Sequence, residues 1–212
     1  MFADKGGSVG KKLTSPTHIS LVMESERLGD FFPIMQRGFL VPAWLPCTVG
    51  NLLHEQFGID SAYVSERITT IFLDGKAIDN PDETPVRDRS TIALSAAMPG
   101  VVGASMRRGS FYAAMRGAVT STERGIPSES FEGLVRVKLF NLLLTELGPG
   151  FLKRGIIMTP SDLSDIFLHH PETIRQGCGV RAKNGQPVDP SCLIEGNAFI
   201  EGEIIKLSIE FR

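Results

Sequence analysis

The stretch Ile71–Gly103, IFLDGKAIDNPDETPVRDRSTIALSAAMPGVVG, constrains the fold more than any other part of the chain. It holds an apolar run, a tight turn, a polar excursion, a second apolar run and a Pro-Gly-rich exit. Asp74-Gly75 is a dipeptide that supplies the positive φ of a tight turn between two strands. A weaker copy stands near the C-terminus. There, Lys183-Asn184-Gly185-Gln186-Pro187-Val188-Asp189-Pro190 is followed by the apolar-alternating Glu203–Glu210. The chain therefore reads as one fold used twice.

The two halves share an order of events: strand, insert, Arg-Gly, strand, capped helix, strand, Asp/Asn-Gly turn, surface excursion, strand. Arg37-Gly38 matches Arg154-Gly155. Val49, Leu52 and Leu53 match Leu163, Ile166 and Phe167. Asp74–Asp79 matches Asn184–Asp189, and Leu94-Ser95 matches Leu207-Ser208.

Residues 1–16, rich in Gly, Ser and Lys, have too little apolar surface to offset the entropy of ordering and are expected to form a mobile arm. Ile19–Met23 and Gly38–Val41 are expected strands. Between them, Glu24–Gln36 has helical spacing at Leu28, Phe31, Phe32 and Met35, interrupted by Gly29 and Pro33. A helical turn and a long hairpin tip both fit. Thr48 caps a helix whose apolar face is Val49, Leu52, Leu53 and Phe57, and Gly58 stops it. Thr70–Leu73 and Thr91–Ser95 are strands around the charged excursion Asp79–Ser90. In the second half, Leu134–Phe140 and Phe151–Met158 are expected strands. Thr159-Pro160-Ser161-Asp162 starts a helix by its cap, its proline and its carboxylate. Val180–Lys183 and Ile204–Ile209 complete the set.

Composition narrows the function classes. The 212 residues carry a formal net charge of -2, which is unlike a general nucleic-acid binder. Cys47, Cys178 and Cys192 form no CxxC pair, so neither a disulfide framework nor a zinc site is expected, and a reducing, cytoplasmic setting is the default. No apolar run has the length of a membrane span, and the N-terminus does not have the form of a signal peptide.

At Thr48–Leu53 and Phe72–Ile78 the first half resembles the ubiquitin-like sulfur carriers, namely the small subunit of molybdopterin synthase and the sulfur carrier of thiamine synthesis. The stretch Thr84–Gly103 resembles their glycine-ended tail. The resemblance covers about Thr17–Gly103 and, more faintly, Leu134–Arg212. It implies an α+β chain of two tandem β-grasp domains, each a mixed sheet crossed by a helix. The boundaries are 17–103 for the first domain, 104–133 for an Arg/Gly-rich connector and 134–212 for the second. In the carriers a free terminal Gly-Gly becomes a thiocarboxylate. Here Gly103 continues into Ala104, so the glycine exit at Gly100 and Gly103 carries sulfur only if the chain is cut after Gly103.

The remaining candidate sites are sparse. Arg107, Arg108 and Arg116 with Tyr112 and Phe111 offer charge and stacking for an anion or a partner. Arg107-Arg108-Gly109-Ser110 also matches a basic phosphosite pattern. His169-His170 with Cys178 and Cys192 lack metal-ligand spacing. Cys47 in a loop and His54 on a helix surface make a weak nucleophile pair. Asp79, Asp82, Glu83 and Asp88 lack the alternating ligands of a calcium loop and read as a solvated turn. No cofactor is indicated and no metal site is assigned. The expected function is a non-enzymatic binding or assembly protein, with a protein partner or a second copy as its ligand and with neither nucleic acid nor membrane. The alternatives are a sulfur-carrier-derived component and an anion-binding enzyme with its site at the connector.

Overall fold

The computed structural model describes residues 16–96, 106, 108, 129–175, 178–189, 193 and 202–212. Their architecture is mixed α/β, and among them one large sheet stands where two separate ones were expected. The strands are β1 (Thr17–Met23), β2 (Phe39–Leu45), β3 (Cys47–Thr48), β4 (Thr70–Leu73), β5 (Lys76–Ala77), β6 (Pro85–Val86) and β7 (Thr91–Ser95). They continue as β8 (Phe131–Phe140), β9 (Ile156–Met158), β10 (Cys178–Lys183), β11 (Gln186–Pro187) and β12 (Ile205–Phe211). Ten of them form a sheet in the order β11-β10-β1-β12-β9-β2-β8-β7-β4-β5, and β3 pairs with β6 apart from it.

The pairing crosses between the sequence halves. β1 lies between β12 and β10, antiparallel to β10 and parallel to β12 with Ser20 opposite Ser208. β8 lies between β2 and β7, antiparallel to β2 and parallel to β7. The two sides meet where β2 and β9 pair through Leu40 and Ile157. Outward from that pair the strands match in order and direction. β2 is followed by β8, β7, β4 and β5, and β9 by β12, β1, β10 and β11. A local two-fold relation thus passes through Leu40 and Ile157, the residues three positions after each Arg-Gly arginine. One side is contiguous in the chain from β2 to β8. The other runs from β9 to β12 and borrows β1.

Backbone angles repeat across this relation. Gly38 sits at φ 110, ψ 132 and Gly155 at φ 98, ψ 127. Thr48 (φ -86, ψ 162) and Thr159 (φ -87, ψ 159) both cap helices, accepting from Asn51 N at 3.1 Å and Asp162 N at 3.2 Å. Asp74 and Asn184 share φ 50, with Gly75 at 80 and Gly185 at 79. Each turn therefore uses a residue that tolerates the left-handed region, followed by the one residue type that adopts it without cost.

The helices cover one face of the sheet. They are α1 (Phe32–Arg37), α2 (Val49–Asn51, running on as a π-turn Leu52–Gln56) and α3 (Ser61–Glu66). Then come α4 (Leu143–Glu146), α5 (Gly148–Arg154), α6 (Pro160–His169) and α7 (Pro171–Arg175). The two open readings of Glu24–Gln36 resolve as a 3-10 helix, Ser25–Phe31, leading into α1. Pro33 stands in the first turn of α1, where its missing N–H costs nothing. Two expectations are corrected. Phe151–Arg154 is the end of α5 and not strand, because Pro149 starts that helix and Gly155 ends it with a positive φ. Cys47 is in the short strand β3 and not in a loop. α3 was not foreseen, although Asp60 marks its start by accepting from Ala62 N at 2.8 Å and Tyr63 N at 3.3 Å.

The core is one cluster of alternating strand residues and helix faces, including Ile19, Leu21, Phe39, Val41, Leu53, Val137, Phe167 and Leu207. The charged excursion is anchored rather than merely solvated. Thr84, Val86 and Ser90 are buried. Val49 N and Gly50 N, at the start of α2, donate to Thr84 O and Pro81 O at 2.9 Å each. Asp74 accepts from Ser90 Oγ at 3.0 Å and Thr91 N at 2.6 Å.

A Cβ added at Gly38 would meet Arg136 Cγ and Lys138 Cγ at 3.0 Å, on top of its disfavoured φ. Gly38→Ala should lower unfolding stability by about 1–3 kcal/mol. Gly29→Ala, with nothing within 4 Å of its Cβ, should stay within about 0.5 kcal/mol. Denaturant midpoints compare the two, and equal midpoints would contradict the assignment.

Candidate functional site

The strand exchange places a helix of each half against the crossing helix of the other. Two related clefts result. In the first, Asp30, Pro33, Ile34 and Arg37 face Asp165, Ile166, His169 and His170 across a cleft of about 360 Å³. Residues spaced three or four apart share one face of a helix, so each set comes from a single stripe. The two helices run in opposite directions, as the pairs at the ends show. Arg37 Nη2 meets Asp162 Oδ1 at 2.9 Å at one end, and Asp30 Oδ1 lies 3.5 Å from His170 Nδ1 at the other.

The polar groups of this cleft have distinct neighbours. Asp30 accepts a hydrogen bond from Thr173 Oγ1 and lies 4.0 Å from Arg27 Nη1, which is also 3.9 Å from Glu172. Asp162 is shared between Arg37 and the capping box of Thr159. His169 Nδ1 lies 2.7 Å from Asp165 O. A carbonyl only accepts, so Nδ1 carries the proton and a neutral ring keeps Nε2 as an acceptor. Asp165 is exposed, and its carboxylate has no hydrogen-bond or ion-pair partner among the described residues.

The related cleft, about 160 Å³, is lined by Phe57, Gly58 and Ile59 against Glu146, Leu147, Gly150, Phe151 and Arg154. Counting back from each Arg-Gly pair, Ile34 corresponds to Phe151, Pro33 to Gly150 and Asp30 to Leu147. Here the arginine is built into the wall. Arg154 Nη2 donates to Phe57 O at 2.8 Å, and its guanidinium carbon lies 5.7 Å from the centre of the Phe57 ring. Burial lowers the Arg154 pKa from its ordinary value. Phe57 and Phe151 pack edge to face at 5.1 Å. Beside this cleft, Glu146 accepts from Tyr63 Oη at 2.5 Å and from Arg67. The Arg67 hydrogen bond, then that of Tyr63, holds the Glu146 carboxyl below the usual range. Burial, then Glu146, pushes the Tyr63 hydroxyl up.

Of the arginines singled out in the sequence, Arg108 is described. Its Nη2 donates to Val64 O and Ile68 O, and its amide donates to Thr69 O at 2.9 Å. The side chain thus closes the C-terminal end of α3. Burial lowers its pKa, with Asp79 and Asp82 acting in the opposite sense. Its buried Nε has no hydrogen-bond partner among the described residues. Arg107, Arg116, Tyr112, Gly100, Gly103, Ser110 and Cys192 lie outside the described residues.

His169 and His170 stand in the first cleft, whereas Cys178 is buried in β10 opposite Met23. Among the described residues no group of three or more His, Cys, Asp or Glu is placed to hold a metal ion. No hydrogen bond joins Cys47 and His54 among the described residues. The Cys47 thiol is pushed up by burial, with a Gln56 hydrogen bond opposing, and His54 Nδ1 meets Ile59 O at 2.9 Å. Sequence reasoning missed Asp30, Arg37 and Asp165. The available signal was the stripe of Asp30, Pro33, Ile34 and Arg37, but its partner stripe lies in the other half.

No family model, curated protein or solved structure matches the chain. Among the described residues no helix is long and apolar enough to cross a membrane.

The raised Cys47 pKa means that folding favours the neutral thiol. The associated stability is complete below the unfolded-state pKa and is lost as pH rises through the folded one. Iodoacetamide at pH 8, followed by peptide mapping, should leave Cys47 unmodified in the native chain and modify it in denaturant. Rapid native labelling of Cys47 would contradict its burial.

Proposed function

We propose that the protein is a non-enzymatic binding protein built from two β-grasp-like units, with the larger of its two related clefts as the working one. The carrying observation is the divergence of the two related clefts. The smaller is walled by Phe57, Phe151 and a committed Arg154, while the larger carries Asp165, His169 and His170. A wall position that is Leu147 on one side and Asp30 on the other has been given polar chemistry that packing does not require.

The grasp-like reading is supported by a central parallel pair with antiparallel neighbours and a crossing helix on each side: β8 and β7 on one, β12 and β1 on the other. A cytoplasmic setting agrees with Cys47, which is free and buried. The ligand is a small molecule or a side chain of a protein partner, since the cleft is the size of one such group.

Fragment screening by heteronuclear NMR on the full chain tests this reading. Amide and imidazole shifts should cluster at Ile34, Ile166, His169 and His170 while Phe57 and Leu147 stay unchanged. Shifts that scatter over the surface, or that gather at the Phe57 cleft, would overturn it.

A further inference from the structure

We infer that the larger cleft binds an alkylammonium group, either a free amine or the side chain of a lysine. The inference rests on the binding role proposed for that cleft and names the chemistry of its ligand. It follows from which polar groups remain uncommitted. Arg37 is balanced by Asp162 at 2.9 Å. Asp30 is engaged by Thr173, Arg27 and His170. With the Arg37 charge matched by Asp162, the group whose charge is left unmatched is an acceptor. The Asp165 carboxylate has no described partner. On His169 the proton is at Nδ1, facing Asp165 O at 2.7 Å. In a neutral ring His169 therefore offers Nε2 as a lone pair.

A surplus of acceptors selects a ligand rich in donors, and the uncompensated Asp165 charge selects a positive one. An ammonium group supplies three donors and one charge. An anion would leave these acceptors unpaired and meet Asp165 with like charge, which is costly on both counts. Ile34 and Ile166, both largely buried, and Pro33 give the cleft an apolar wall. Such a wall suits a methylene stem, because apolar area leaves water while the charged end stays with polar groups. The related cleft has no equivalent: Leu147 stands for Asp30, and Arg154 brings a positive charge into the wall.

Calorimetric titration of the full chain with matched four-carbon probes tests the inference. The probes are n-butylammonium, butanol and butyrate, together with cadaverine and Nα-acetyl-lysine methylamide. n-Butylammonium should bind saturably, with butanol and butyrate at least ~10-fold weaker, as expected when a charge-assisted hydrogen bond is lost. Asp165→Asn should weaken n-butylammonium binding ~3-fold, as expected for an ion pair at an exposed carboxylate. Glu66→Gln, the same charge change on the exposed face of α3, should leave it unaltered. His169→Gln, judged against circular dichroism for retained fold, should weaken it as well. Binding of acetyl-lysine methylamide as tight as that of butylammonium supports a lysine side chain as the source. Binding of the free amines alone supports a small amine. Butyrate as the best probe, or an unchanged affinity in Asp165→Asn, would overturn the inference. Fragments that map to the cleft while every ammonium probe fails would overturn it and leave the binding role standing. Failure of both experiments would remove the two together.

Discussion

The parallel pairing of β1 with β12 is the contact on which the other features depend. Ser20 stands opposite Ser208, and the register runs unbroken from Thr17 with Ile205 to Met23 with Phe211. β1 thereby enters the C-terminal side of the sheet, and the chain that follows it must return to the N-terminal side to form β2. That return path is the 3-10 helix and α1. α1 is consequently delivered against α6 of the other half, where Arg37 meets Asp162. β8 makes the reciprocal excursion, and α5 is delivered against the end of the π-turn after α2, where Arg154 reaches Phe57 O. Both clefts are by-products of this path.

The energetics favour the exchange without fixing it by one contact. Alternate residues of β1, namely Ile19, Leu21 and Met23, are essentially fully buried, as are Val135, Val137 and Leu139 of β8. Burying a side chain of this size contributes about 1.5–3 kcal/mol, so six such residues outweigh any single polar contact at the surface. Sheet hydrogen bonds then set the register. A shift by one residue would turn the apolar face of either strand to solvent. Around this frame the helix surfaces of the two halves differ, as at Asp30 and Leu147.

Local features were legible where one residue type has one physical use. The turns at Asp74-Gly75 and Asn184-Gly185, the caps Thr48 and Thr159, and the stop at Gly58 follow from backbone chemistry alone. The alternation of Leu134–Phe140 also marked its strand and its buried face. Strand order was not legible, because alternation tells which face is buried and not which neighbour lies alongside. β1 and β8 have the same alternation and each would satisfy either side. Phe151–Arg154 looked like strand because its apolar residues sit next to Ile156–Met158, and the helix was decided by Pro149 and Gly155. The candidate cleft was hidden for a related reason. His169 and His170 were noticed, but Asp30 and Arg37 reach them only through the crossed path of the chain. Arg108 stood out as a free cation in the sequence and proves to be directed at the carbonyls of Val64 and Ile68.

Cross-strand NOEs in the uniformly labelled full chain measure the central feature directly. The exchange predicts contacts in parallel register between β1 and β12, centred on Ser20 and Ser208, together with antiparallel contacts between Val41 and Val135. A β1 strand showing NOEs to β2 in place of β12 would contradict the exchange, and with it the assembly of both clefts.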